Sequence, residues 1–370
     1  MGEVEVVFGF WALVLVVAMA FVSSGQQALT YVESRQYTEP LFVFVVMVVA
    51  ASRPVLEAVG RLLAALARLA PVRTPLALAW LGLAVVPIMG SLITEPAAMT
   101  LAALMLAPQI FRKGMPEWLK YAALGVLFVN VSIGGTLTAY AAPPTTWQWD
   151  SAFMATTFGW RACLAVLISS TVVTFLLRSH LRDADAGSAR GHAKPVPWVV
   201  SAIHLAFLAG VVAFAHHPVV FIELFLFFLG YTQAYEHYQN PLILKQGLLV
   251  GFFLAGLVVL GGMLQWWLQP IVSTLEPTAL FFGALALTAI TDNAALTYLG
   301  SLIACMSDHA KYMLVAGSVA GGGLTVIANA PNPAGAALLR RGFNDDSIGT
   351  AGLLLGTIPP TVMAALLFLL

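Results

Sequence analysis

The chain has 370 residues, of which 60% are hydrophobic and 9% charged, with a mean hydropathy of +0.90. Soluble domains carry about a quarter charged residues, so a water-soluble enzyme or scaffold is excluded and an all-α integral membrane protein is expected. Basic and acidic residues balance at 17 each, so the formal net charge of +0 gives no footprint for nucleic acid.

The N-terminus carries Glu3 and Glu5 and leads into an apolar run from Val6 to Val22. A secretory signal needs a positive start, so this run is expected to stay as a first transmembrane helix. Apolar spans able to cross the bilayer hold roughly 17–25 residues. Candidates lie at 6–23, 40–53, 54–71, 117–141, 151–177, 197–215, 218–235, 241–268, 311–330 and 350–370, the second and third being short and weakly apolar. Two further stretches, 75–110 and 276–306, fit better as re-entrant hairpins. The expected topology is therefore about ten transmembrane helices plus two hairpins.

One long polar segment, 178–196 (RSHLRDADAGSARGHAKPV), has the composition of a flexible cytoplasmic linker. It divides the chain into a first repeat, 1–177, and a second, 197–370. Placing the N-terminus outside puts Arg35, Arg61, Arg68, Arg73, Arg112, Lys113, Lys120, Arg178, Arg182, Arg190, Lys194, Lys245, Arg340 and Arg341 inside. Arg53 and Lys311 then stay outside. Cytoplasmic loops hold the excess of positive charge, so both termini are expected on the outer face.

Duplication is visible in matched strings. Thr94-Glu95-Pro96-Ala97-Ala98-Met99-Thr100 and Thr291-Asp292-Asn293-Ala294-Ala295-Leu296-Thr297 share the form Thr-acid-x-Ala-Ala-apolar-Thr, 197 residues apart. Gly134-Gly135-Thr136-Leu137-Thr138 matches Gly321-Gly322-Gly323-Leu324-Thr325 at 187, and Pro54-Val55-Leu56 resembles Pro241-Leu242-Ile243 at the same offset. With an odd number of crossings in each half, the second repeat must be inverted. One acidic hairpin then enters from each side, which is the architecture that holds substrate between broken helices.

An ionisable group inside a hydrophobic stretch is expensive and by default marks an ion or substrate path. Burial in low dielectric favours the protonated form of a carboxylate, while the same oxygens suit a hard cation. Competition of proton and cation for Glu95 and Asp292 is the simplest physical basis for antiport. Thr94, Thr100, Asn293 and Thr297 place neutral oxygens around the acids. The Gly-rich segments favour local unwinding, and freed carbonyls are tolerated only where they line a cavity. Gly135, Thr136, Thr138, Gly322, Thr325 and Asn329 are therefore the candidates to complete the shell, with Asn130 and Ser132 one turn earlier. The bland alternatives are helix ends in water for the acids and close-packing faces for the glycines.

Arg161 sits about ten residues into a crossing, where it would either counterbalance the empty site or make a structural salt bridge. Glu57 and Arg61 are spaced to pair on one helix face. The seven histidines form no ligand pair, and His204 reads as a packing residue within a crossing. Cys163 and Cys305 read as small apolar packing residues, and Trp266 and Trp267 as interfacial anchors. No cofactor is expected.

On SLITEPAAMTLAALML (91–106), TAITDNAALTYLGSLI (288–303), GGTLTAYAAPP (134–144) and GGGLTVIANAPNP (321–333), the whole chain resembles a family of bacterial sodium/proton antiporters. That family looks like a member of the ion-transporter superfamily of arsenite permeases and dicarboxylate carriers. The resemblance implies a homodimer in the bacterial inner membrane, with a scaffold and a mobile region holding both hairpins. It also implies that Na⁺ and protons are the transported species. The dicarboxylate carriers have neutral Ser-Asn-Thr tips, whereas both tips here are acidic and would repel a carboxylate.

The favoured expectation is exchange of Na⁺ or Li⁺ for H⁺, with Na⁺ at Asp292, Asn293 and Glu95. Asp292 and Asn293 are expected to be the tighter cation ligands and Glu95 the more protonatable partner. A cation-coupled carrier of an oxyanion or organic acid is the alternative. A membrane-embedded protease is disfavoured because the sequence has neither a GxGD motif nor a serine–histidine pair.

Overall fold

The computed structural model describes residues 3–139, 149–181, 195–263, 270, 274–303 and 306–370. Among these residues every regular element is helical. The first half holds α1 (Glu3–Val22), α2 (Gly25–Glu33), α3 (Thr38–Ala50), α4 (Arg53–Leu69), α5 (Thr74–Leu83), α6 (Val85–Ile93), α7 (Glu95–Leu106) and α8 (Glu117–Gly134). It ends with α9 (Ser151–Met154), a π turn (Ala155–Gly159) and α10 (Trp160–Leu177), which run on as one helix. The second half holds α11 (Trp198–Ala213), α12 (Pro218–Ala234), α13 (Leu244–Gly261), α14 (Pro277–Thr288), α15 (Asn293–Ser301), α16 (Asp308–Gly321), α17 (Asn332–Leu339) and α18 (Thr350–Leu369).

This is an all-α membrane protein. Glu117–Leu137, Ser151–Leu177 and Thr350–Leu369 are individually long and apolar enough to cross a bilayer, and α3–α4 and α5–α6 are so as bent pairs. Six shorter apolar helices stand beside them, among them Val6–Val22, Trp198–Ala213, Pro218–Ala234 and Gly247–Gly261.

Several expected spans take a different form. The stretches 40–53 and 54–71 meet at 62°, with the break at Ala51–Ser52 and Pro54 in the first turn of α4. α4 buries one stripe, Val55, Val59, Leu63 and Ala67, while Arg61 and Arg68 are exposed. That one-sided burial at i, i+4 spacing suits a helix against the bundle surface rather than one buried all round. The expected crossing 311–330 ends as a helix at Gly321, and residues 322–331 run as turns and bends. Likewise α8 stops at Gly134 and tightens into a 3₁₀ turn over Gly135–Leu137. Both interruptions fall on the Gly-rich strings.

Two apolar cores share α8. One joins α3–α8 to α11 and α12; the other joins the end of α8 to α10, α14, α16 and α18. α8 meets α18 through facing glycines, with Gly125 against the Gly356 carbonyl and Gly356 against the Tyr121 carbonyl. Small residues of this kind let helix backbones approach where lipid removes any hydrophobic drive to associate.

The ends of the polar segment are pinned to the first half. Arg73 and Arg112 donate to the carbonyls of Leu181 and His180, each at 3.0 Å. Glu57 and Arg61 pair as expected, and together they hold the Val196 backbone at 3.2 and 2.6 Å. The rest of that linker, 182–194, lies outside the described residues, as do Cys305, Trp266 and Trp267. His204 is fully buried, with Nδ1 at 2.8 Å from the Val200 carbonyl, and it packs on Phe228 and Tyr231.

Candidate functional site

The first acidic turn begins with a proline. Pro87 has no N–H to give the carbonyl of Leu83, four residues back, and α5 and α6 bend there by 44°. Asn130 Nδ2 from α8 and Ser170 Oγ from α10 fill the gap, at 2.9 and 2.8 Å from the Leu83 oxygen. Ser169 in turn donates to Asn130 Oδ1 at 2.9 Å. An asparagine at zero exposure inside the bundle is thus accounted for. The corresponding arm of the second half, α14, has Leu285 near the equivalent place and is one unbroken helix.

α6 ends at Thr94, whose φ of 74° and ψ of 151° suit glycine rather than a β-branched residue. The chain turns there and α7 starts at Glu95, with Pro96 in its first turn. Prolines fit that position because first-turn N–H groups have no partner in the helix. Helix N-termini also favour negative charge. The second acid occupies the matching place, as Asp292 caps α15 by accepting from the backbones of Ala294 and Ala295 at 2.8 and 3.2 Å.

Hydroxyls stitch each turn to the facing break. Ser91 Oγ donates to the Gly134 carbonyl at 2.7 Å and accepts from the Leu137 backbone at 3.0 Å. Thr138 donates to the Ser91 carbonyl at 2.7 Å. In the second half Thr325 donates to the Ala289 carbonyl at 2.8 Å, and the Asn293 backbone donates to Ala328 at 3.1 Å. The two halves touch where Ser132 Oγ donates to the Val319 carbonyl at 2.8 Å, a pair separated by 187 residues. Asn293 Nδ2 points to the same hydroxyl at 3.4 Å.

Glu95 is the centre of this arrangement, with 4% exposure. Its Oε2 accepts from Asn329 Nδ2 at 2.8 Å, a contact that joins the first turn to the second break. Its Oε1 has no hydrogen-bond partner among the described residues, nor has the buried hydroxyl of the preceding residue, Thr94. Gly135 lies directly against this carboxylate, and Asp292 stands within electrostatic reach of it. A buried charged oxygen without a partner is costly, and buried polar atoms without one ask for a ligand, ion or water. Carboxylate, hydroxyl and carbonyl oxygens are the donor set of hard cations.

Other expected residues take structural parts. Thr100 and Thr297 each donate back to the carbonyl four residues earlier, Pro96 at 2.9 Å and Asn293 at 2.8 Å. Thr136 is fully buried and donates to Ile133 at 2.6 Å. Gly322 gives room to Ser132 and Asn293. Asp292 is half-buried, less enclosed than Glu95. Arg161 donates to the Thr157 carbonyl and lies 4.6 Å over Trp160 and 5.5 Å over Tyr312, and no ion pair to it occurs among the described residues.

Three contributors escaped the sequence reading. Ser91 precedes Glu95 by four residues, as Thr288 precedes Asp292, so a hydroxyl one turn before each acid was available as a signal. Ser318 donates to the Asn293 carbonyl at 3.0 Å. Asn332 holds the Gly322 and Thr325 carbonyls at 2.8 and 2.9 Å across the break. Its three-residue spacing from Asn329 was the only hint.

A protein family described as "Putative Na+/H+ antiporter" matches residues 1–370. No functionally curated protein matches the chain. Among solved structures, the crystal structure of the YdaH transporter of Alcanivorax borkumensis, described as revealing an unusual topology, is similar in fold. The TM-score is 0.52 at 17% identity, over 99% of this chain and 96% of that one.

Proposed function

Because the chain belongs to the Na⁺/H⁺ antiporter family, we propose that it exchanges Na⁺ or Li⁺ for protons by alternating access, through one site around Glu95. The observation that carries this reading is Glu95 itself, buried, with one oxygen held by Asn329 and the other unpartnered. A cation would sit against Oε1 and Thr94 Oγ1; a proton on the carboxylate removes the charge that attracts it. The two species then exclude each other, and neither empty nor doubly filled states are favoured. Asp292 adds negative charge from across the site and keeps the N-terminus of α15 in place.

This shifts the balance between the acids relative to the sequence expectation. Asp292 gives one oxygen to two backbone N–H groups, so Glu95 has the greater freedom to take both cation and proton. The matched contacts of the two breaks and the 187-residue pair at Ser132 and Val319 support an inverted repeat with re-entrant acidic hairpins. A homodimer in the inner membrane with both termini outside completes the proposal. Transport of an organic acid is disfavoured by two carboxylates within electrostatic reach of each other, which would repel a carboxylate substrate.

Glu95→Gln should abolish Na⁺-driven proton flux in proteoliposomes. Asp292→Asn keeps a good helix cap and removes the charge, so its loss of flux should come without loss of folding. Full exchange by both variants would sink the assignment, and substrate-dependent Na⁺ currents without proton flux would favour the organic-acid reading.

A further inference from the structure

We propose that a cavity between α8, α10 and α18, away from the acidic site, holds one acyl chain of an anionic phospholipid. The cavity has a volume of about 430 Å³ and is walled by Trp118, Tyr121, Val172, Leu176, Leu355 and Met363, with the Ser169 hydroxyl at its back. That is within the usual range of ligand cavities, about 300–1,000 Å³.

Its place in the fold identifies the occupant. The wall uses the first part of α8, the last part of α10 and the first part of α18, so it belongs to one end of the bundle. From Trp118 to Val126 the α8 wall rises about 12 Å, and from Gly352 to Met363 the α18 wall rises about 17 Å, roughly half of a hydrocarbon core about 30 Å thick. The cavity therefore lies within one leaflet and opens toward hydrocarbon, where the side chains of Val172 and Leu355 are exposed. Trp118, 59% exposed, stands at the end where indoles anchor to the headgroup layer.

Charge selects the headgroup. Lys113 precedes the Trp118 turn and is exposed, and Arg178 follows Leu176 by two residues and is exposed. Arg112 ties the two helix ends together by donating to the His180 carbonyl at 3.0 Å. Glu117 is paired with the buried Lys120 at 2.9 Å, and the exposed Asp345 and Asp346 ahead of α18 are outnumbered by the exposed Arg340 and Arg341 together with Lys113 and Arg178. Basic residues at this level attract anionic lipid.

Glycines and prolines shape the α18 wall. Gly352 and Gly356 seat Tyr121 of α8, which lines the cavity, and Pro359 and Pro360 cannot donate to the Leu355 and Gly356 carbonyls. Ser169 is 8% exposed and holds Asn130, which fixes the bend of the first acidic arm. A chain in the cavity thus covers the back of that clasp. On the transport reading above, this would link lipid to the acidic hairpin, although binding itself does not depend on that reading.

Native mass spectrometry of the detergent-purified full chain, after exchange into phosphatidylglycerol or phosphatidylcholine, tests the site. The wild type should retain one phosphatidylglycerol per subunit, several-fold more than phosphatidylcholine, and its melting temperature should rise by a few degrees with the anionic lipid only. Val172→Trp and Ala122→Phe fill the cavity, and each should lose both effects while melting like the wild type in detergent alone. Leu366→Trp, exposed on the same helix and outside the cavity, should behave as wild type. Equal retention by the filled variants, or no preference for the anionic headgroup, would overturn the proposal. If a filled variant fails to fold, the headgroup preference and melting shift of the wild type alone decide it.

Discussion

Gly135→Ala is the sharpest single test of the geometry around Glu95. The backbone of Gly135 has φ −67° and ψ −13°, which any residue adopts, so the substitution carries no conformational strain of its own. An added methyl group would overlap Glu95 Oε1 and stand 2.9 and 3.0 Å from its Cγ and Cδ. Overpacking of this kind costs about 1–3 kcal/mol, equivalent to roughly 5- to 150-fold in an equilibrium or rate. The carboxylate must leave either Asn329 or the cation position, so Na⁺-driven proton flux in proteoliposomes should fall within that range. Glu95→Asp shortens the side chain by one methylene and vacates the space the methyl group needs. The double variant should then lose less than the product of the two single losses, a coupling that a double-mutant cycle measures directly. A fully active Gly135→Ala protein, or strictly multiplicative losses, would show that Gly135 does not abut the working carboxylate.

Two further variants probe the supports of the same site. Thr94→Gly should relieve a backbone strain of about 1–3 kcal/mol, partly offset by the chain entropy of glycine, and raise the melting temperature. It should at the same time weaken half-saturation for Na⁺ through loss of the hydroxyl; a lower melting temperature would contradict the strain at this turn. Asn130→Ala removes one of two donors from the buried Leu83 carbonyl and should cost about 1–3 kcal/mol of stability. In a Pro87→Ala background the new N–H can serve that carbonyl, so the same substitution should cost markedly less in thermal unfolding. Equal costs in both backgrounds would remove Pro87 as the cause.

The all-helical membrane class was legible because 9% charge admits no other economy of burial, and the helix breaks because Gly-Gly recurs at one offset. Glu95 and Asp292 stood out as acids in apolar sequence. The partner Asn329 was named, but that it reaches across to Glu95, 234 residues away, is a matter of tertiary packing that no local pattern encodes. The break between α3 and α4 was legible as the boundary between 40–53 and 54–71, but its 62° angle was not, since hydropathy sums over a window and is blind to direction. Arg161 shows the opposite failure. Its depth predicted either a salt bridge or a counter-charge to the empty site; among the described residues aromatic faces and a carbonyl meet it and no ion pair does, a solution that composition does not distinguish.

The two halves resemble each other in string and differ in chemistry, and the differences fall where exchange needs them. Pro87 breaks the first arm while the second, with Leu285 near the equivalent place, is one unbroken helix. Glu95 begins α7 just inside the helix, followed by a proline without an N–H, so its longer side chain is not drawn into capping. Asp292 precedes α15, and two backbone N–H groups fold its shorter side chain onto the helix. An acid that caps a helix loses stability when protonated, because the charge-assisted bonds it accepts weaken. An acid with one unpartnered oxygen has less to lose and can change state at lower cost. In the proposed exchange, therefore, the second half supplies a carboxylate that holds its charge and the first supplies the one that alternates. Swapping the side chains, as Glu95→Asp with Asp292→Glu, should restore neither half, because length and capping geometry, and not charge alone, separate their tasks. Wild-type flux and cation affinity in that double variant would make the two acids equivalent and remove the asymmetry.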